Sequence, residues 1–464
     1  MPISGLVFLA TFFTLMGMAL LRHPRYGLYA YVAVFYLHPP SRWWGEFLPD
    51  LRWSLLAAFV TLLATWRLRA DEDMPERPSW ASSLGAKLLI AYTLWLWLQN
   101  LWALDPPENL EASILFTKYV ILFYLVYRLV DSTIEMRRFL LLHVIGCFYL
   151  GWLAWGAEFS GRLEGVGGPG IDEANVLAMH LGTAVMCGAM LVLVAPWKVR
   201  LVVIVAIPFI LNGMVLAGSR GAILAMLVGA LALVRLKPPS YRKAFYSLGV
   251  LALVLFGMLA NEMFWERMDT IKVGLEDESQ MDTSAFSRFV MLEAQVKMAL
   301  AYPMGTGHRG TAVLSPLYID EKYMAADSVD SSGQRSRSSH NTFMTAWVEQ
   351  GFPGAAMFIL MCLWSWRSVR RLRRLQKDGD AEPMAQTAAL AAALLLAFFA
   401  GMFVDYLKAE VQIWLLALIA SQLAMEMQKD VADSHMTEES VTESGRPSRL
   451  AVEDRGAAFR QRAS

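Results

Sequence analysis

Residues 201–234 read LVVIVAIPFILNGMVLAGSRGAILAMLVGALALV, and Arg220 is their single charge. Apolar segments at 199–217 and 221–235 flank it, each close to the roughly 17–25 residues that cross a bilayer as a helix. An arginine at a bilayer centre costs roughly 2.5–3.5 kcal/mol on insertion scales. A charge kept between two such segments therefore carries a functional expectation. Gly218 and Gly221 permit a tight turn that aims it. The stretch predicts an all-α, membrane-spanning chain with chemistry at one membrane face.

The remaining sequence extends this reading. The chain has 464 residues, 56% of them hydrophobic, and a mean hydropathy of +0.40, too apolar for a soluble protein. Further apolar segments fall at 3–21, 84–103, 112–130, 138–157, 175–194, 244–262, 342–363, 387–405 and 409–427. Shorter ones fall at 26–38 and 51–66. The expected fold is a polytopic bundle of about 12–13 transmembrane helices. Ile3–Leu21 lacks a basic leader and a cleavage site and reads as a retained span. The basic residues Arg22/Arg25, Arg67/Arg69/Arg77, Arg128/Arg137/Arg138, Lys198/Arg200, Arg235–Lys243 and Arg367–Lys377 occupy every second loop, which places those loops in the cytoplasm. Residues 1–427 then form a membrane domain with one large extracytoplasmic loop, 263–340, and 428–464 a disordered cytoplasmic tail. That loop contains an amphipathic helix, 284–300, with Phe289, Leu292, Val296 and Leu300 at helical spacing. Its Ser-rich part, 325–338, reads as mobile.

The 41 basic and 41 acidic residues balance, so no basic field argues for nucleic acid. Cys147, Cys187 and Cys362 all lie in apolar stretches, which favours packing over a disulfide framework. No His/Cys metal cluster, Walker loop or dinucleotide fingerprint is visible. Asp71-Glu72-Asp73 has the Asp-x-Asp form of a metal-holding motif, but beside Pro75 and Pro78 on a cytoplasmic loop it reads as a solvated charge run.

Several residues carry competing readings. Arg220 suits an anion, because its guanidinium fork matches phosphate oxygens, or it snorkels as an anchor. Its outside location disfavours the anchor. Arg288 taken alone is a solvated charge on an amphipathic helix. Gly305 and Gly307 form a Gly-x-Gly pair or a plain turn after Tyr302-Pro303. His340 is a candidate base, while Ser339, His340 and Asn341 equally suit a helix cap. Arg162 to Asn175 is a polar, turn-rich segment with possible caps at Asp172 and Asn175.

In order along the chain, Gly161-Arg162-Leu163 with Asn175, Ser219-Arg220-Gly221, Arg288, Gly305-x-Gly307, and Ser339-His340-Asn341-Thr342 with Glu349, Gly351 and Gly354 resemble the O-antigen ligase/polymerase superfamily of membrane glycosyltransferases. The stretch Tyr29–Trp66, with His38-Pro39-Pro40-Ser41-Arg42-Trp43-Trp44, is similar to the O-glycosylation ligase subgroup found with exosortase-type protein-sorting systems. The resemblance implies transfer of a glycan from undecaprenyl diphosphate to an acceptor hydroxyl of a protein, lipid or glycan, at the outer (periplasmic) face of the plasma membrane. It implies Arg220 and Arg288 on the diphosphate and His340 as the base. Arg162, Asn175, Ser219, Gly221, Gly305, Gly307 and Asn341 would then contact substrate, and neither metal nor cofactor is called for. Arg335 and Arg337 would close over the site or serve as a linker. The rivals are a polymerase of the same superfamily, a polytopic transporter or flippase, and a structural membrane partner. A transporter more often shows paired repeats and helices broken near mid-membrane, whereas these charges gather at one face.

Overall fold

The computed structural model describes residues 1–68, 77–155, 161–262, 264–266, 268, 283–320, 335–377 and 379–444. Asp71–Asp73, 325–334 and 445–464 lie outside the described residues. The α-helices among the described residues include α1 (Ile3–Leu21), α2 (Arg25–Leu37), α3 (Trp53–Leu68), α4 (Leu84–Gln99), α5 (Pro106–Leu129), α6 (Thr133–Ala154), α7 (Ala174–Val194), α8 (Trp197–Ala217), α9 (Arg220–Leu236), α10 (Arg242–Leu259), α11 (Thr283–Ala301), α12 (Gly310–Tyr318), α13 (Thr342–Leu375), α14 (Ala381–Ala400) and α15 (Glu410–Ser444). No β-strand occurs among the described residues. The protein is an all-α polytopic membrane protein.

Nine of the described helices, α1, α5, α6, α7, α8, α10, α13, α14 and α15, are long and apolar enough to cross a membrane. The shorter α2, α3, α4 and α9 have 13, 16, 16 and 17 residues and pack among them. The expected 12–13 spans are reached only when these shorter helices are counted as crossings. The final helix runs on to Ser444, beyond the expected domain end at 427.

α7 is the central helix, with nearly all of its residues buried, whereas α10 buries only Phe245 and is peripheral. α14 packs on both α7 and α9. Its face of Ala388, Ala389, Ala392, Ala393 and Ala397 is buried, and such small side chains let helices approach closely where no hydrophobic effect drives them together. Phe8, Phe12, Trp44 and Trp53 form a separate small core for α1 to α3.

Helix order sorts the loops onto two faces. One carries the basic loops, tied by Arg25 Nη1 to Glu135 Oε1 at 2.6 Å and Arg137 Nη1 to Glu382 Oε1 at 2.7 Å. The other carries 38–52, 99–106, 161–173, 217–220, the described residues between 260 and 341, and 401–409. There Arg42 Nη2 donates to Val166 O (2.8 Å), which seals the His38-Pro39-Pro40 segment onto the 161–173 loop.

Within the large loop, α11 spans the expected amphipathic segment, but it packs with a different face. Met291, Ala294, Gln295 and Met298 are buried, whereas Phe289 and Leu300 are 62% and 63% exposed. Beside a bilayer an apolar stripe is satisfied by lipid as well as by protein, so periodicity alone does not reveal which stripe meets the core. The nine-residue α12, which the sequence reading did not anticipate, completes a small core of Met291, Met298, Leu314 and Val348.

Candidate active site

The turn between α8 and α9 builds the first part of the site. Gly218 ends α8 in the left-handed region (φ 56°), and the Ser219 hydroxyl caps α9 by accepting from Ala222 N (3.3 Å). Arg220 is thus the first residue of α9, at the positive end of the helix dipole. Gly221 lies so close to Phe403 that a Cβ there would sit 2.8 Å from its side chain. The neighbouring 161–173 loop is held against this turn, because Leu163 N donates to Leu216 O (3.1 Å) and Arg162 Nε to Ala217 O (3.0 Å). Arg162 Nη2 donates to Asn175 Oδ1 (2.7 Å), which fixes its guanidinium. Arg162, Asn175, Ser219, Arg220, Gly221, Arg288 and Phe403 line one small pocket of about 50 Å³. Three arginines from three distant parts of the chain meet there, a geometry that suits an anion with several oxygens.

A larger cavity of about 380 Å³ is lined by His340, Ser339, His308, Arg309, Glu349, Asp405 and neighbouring acidic residues. His340 stands just before α13, whose N-cap is Asn341: its Oδ1 accepts from Phe343 N (3.0 Å) and Met344 N (3.1 Å). Gln295 of α11 donates to Ser339 Oγ (2.8 Å), holding the His340 segment against the helix that carries Arg288. Burial, then the positive fields of Arg288 and Arg337, push the imidazole down to about 4, so it is neutral at ordinary pH. The 401–406 turn is bound to the start of α13 by Thr342 N to Gly401 O (2.7 Å) and Thr342 Oγ1 to Val404 O (2.8 Å). Its Phe403 lines the arginine pocket and its Asp405 the larger cavity, so this turn walls both.

Residues 205–359 match the family model described as O-Antigen ligase. No curated protein matches the chain. The O-antigen ligase match contains Arg220, Arg288, both glycines and His340, and it leaves Arg162, Asn175 and the 401–406 turn outside.

The O-antigen-ligase-like stretch also contains a helix break. Gly351 has φ 66° and ψ −172°, which interrupts α13 and frees carbonyls that the 302–307 turn then satisfies. Thr306 N donates to Val348 O (3.1 Å), Gly307 N to Glu349 O (3.0 Å) and Trp95 Nε1 to Gln350 O (2.8 Å). Gly305 and Gly307, both at positive φ, line neither cavity. A Cβ on Gly305 would meet Glu349 O at 2.5 Å, so backbone approach requires glycine there. Their place in the structure is to mend the break, which in turn aims Glu349 at α12. Glu349 Oε1 accepts from Thr311 N (3.4 Å), and Oε2 lies 3.2 Å from His308 Nδ1.

Sequence reading did not single out His308, Arg309 or Asp405. Arg309 adopts φ 64°, rare for a residue with a side chain, and pairs with Asp105 at 3.3 Å. The Asp405 carboxyl is pushed up to about 6, first by burial and then by the Glu349 charge. Arg337 is tied back through its own N–H to Ser315 Oγ (2.7 Å) of α12, and burial lowers its guanidinium below the usual range.

The sequence shows no His/Cys cluster, yet the helices assemble one from His143, Cys147 and His180. The Tyr36 hydroxyl sits among them, and the donors can be ordered. Thr183 Oγ1 donates to His180 O (2.6 Å), so it accepts from His143 Nε2 (2.9 Å). His143 Nδ1 then accepts from the Tyr36 hydroxyl, whose oxygen accepts from His180 Nε2 (2.9 Å). This buried network joins α2, α6 and α7 without net charge.

Proposed function

We propose that this chain is a glycosyltransferase of the O-antigen ligase type, which moves a glycan from undecaprenyl diphosphate to an acceptor hydroxyl at the extracytoplasmic face of the plasma membrane. The observation that carries this reading is the convergence of Arg162, Arg220 and Arg288 on one pocket next to the cavity that holds His340. The acceptor oxygen attacks the anomeric carbon as the bond to the diphosphate oxygen breaks, which inverts that centre. The electron pair leaves with the diphosphate, where the three guanidinium groups stabilise the developing charge that a divalent metal neutralises in other transferases. The acceptor proton passes to the neutral imidazole of His340. Ser219 and Asn341 serve these residues by capping the helices that carry or follow them. The protein O-glycosylation subgroup is proposed from the resemblance of Tyr29–Trp66, whose His38-Pro39-Pro40 segment lies against the Arg162 loop.

The test is transfer of labelled sugar from undecaprenyl diphosphate by the full-length protein in membranes. Base catalysis usually contributes about 10²–10⁴-fold, so His340→Ala is expected to lose about that much turnover while still binding the lipid donor. Equal loss of donor binding and turnover would make His340 a donor-binding residue, and full activity in His340→Asn would exclude the base role.

A further inference from the structure

We propose that the cavity of about 380 Å³ beside His340 is the acceptor compartment, and that it takes a hydroxyl carried on an uncharged group while excluding phosphate- and carboxylate-bearing ones. This rests on the transferase reading above and adds the class of acceptor to it.

Glu108, Asp172, Glu173, Glu349 and Asp405 reach this cavity from four separate parts of the chain. Of its two strong cations, Arg309 is already engaged by Asp105 at 3.3 Å and Glu108 at 3.9 Å, and Lys408 sits at the exposed rim. The adjoining pocket carries three arginines and no carboxylate among its lining residues. A carboxylate-rich cavity and an arginine-lined pocket thus share the 401–406 turn as a wall, and the fields of Arg288 and Arg337 reach the cavity at His340. The diphosphate belongs with the arginines, and a second anion would be repelled from the other side.

The cavity also offers what a hydroxyl needs. Glu349 is 4% exposed, and among the described residues its Oε2 accepts no hydrogen bond and has the His308 ring as its ion-pair neighbour at 3.2 Å. A buried carboxylate oxygen with lone pairs to fill is a strong acceptor for a substrate O–H. The mutual field of the carboxylates is visible elsewhere in the cavity: Glu173 is raised by burial and by Asp172 and Glu164.

The test places a thiol in the cavity of the full-length protein. Val176, on α7, lines it and is close to cysteine in size. In Val176→Cys, a cationic methanethiosulfonate is expected to react about tenfold or more faster than an anionic one, relative to a free thiol. Asp405→Asn with Glu173→Gln should bring the ratio back toward the free-thiol value. Ala312→Cys serves as the second position if Val176→Cys does not fold. Modification should stop transfer yet leave undecaprenyl diphosphate binding intact. Charge-indifferent or anion-preferring labelling overturns the inference, as does loss of donor binding on modification. Transfer with charge-indifferent labelling sinks this inference alone, whereas charge-selective labelling without any transfer sinks the transferase reading and the acceptor role together.

Discussion

Arg220 and His340 show how far single residues were legible. A lone arginine between two apolar segments marks itself, and the structure seats it beside Arg162 and Arg288 in one pocket. We expect Arg220→Lys to lower turnover by about 10²–10³-fold at matched protein level, because lysine keeps the charge and loses the planar fork. Wild-type transfer by Arg220→Ala would reduce it to an anchor. The His340 field was not legible, since Arg288 and Arg337 reach it only through folding. With its imidazole pushed from 6.5 down to about 4, the base is lost only as pH falls toward that value. The acid limb of kcat/KM should therefore lie near 4, and that of kcat at higher pH, since a bound diphosphate raises the imidazole. An acid limb of kcat/KM at or above 6.5 would show that another group is titrating. His308 and Asp405 escaped the sequence reading because what marks them, burial beside Glu349, depends on segments far apart in the chain.

Among the elements, the apolar stretches of the long helices were readable, since length and hydropathy decide them, but α13 and α15 run on to Leu375 and Ser444, past the expected ends at 363 and 427. The break in α13 was not. Gly351 and Pro353 permit it, but the 302–307 turn that satisfies the freed carbonyls makes it stable. α12 was missed for a related reason: nine residues with Pro316 inside make no periodic signal, and α11 and α13 hold it in place. The Tyr36 network joins α2, α6 and α7 through hydrogen bonds that no single helix predicts. Tyr36→Phe leaves His143 Nδ1 and His180 Nε2 buried without their partner, so it should cost about 1–3 kcal/mol. Thermal unfolding of the purified protein in detergent measures this, and an unchanged Tm would show that the network adds nothing to stability.

For the whole molecule, alternating basic loops and helix order agree on two faces, with the arginine pocket and the larger cavity on the face without the basic loops. We expect a cysteine introduced at Ser338 to react with a membrane-impermeant reagent in intact cells, and one at Lys377 to react only after permeabilisation. The reverse pattern would put the site in the cytoplasm and remove the proposed donor. The sequence by itself determined the all-α membrane class, the approximate spans and the residues worth suspecting, because hydropathy, charge placement and short motifs are local properties of the chain. Only the tertiary structure decided that the arginines converge, that Gly305 and Gly307 repair a broken helix, which face of α11 is buried, and that a basic pocket adjoins an acidic cavity. Those outcomes depend on which loops pack against one another, and the physical reason is that field, burial and hydrogen-bond satisfaction are set by neighbours in space.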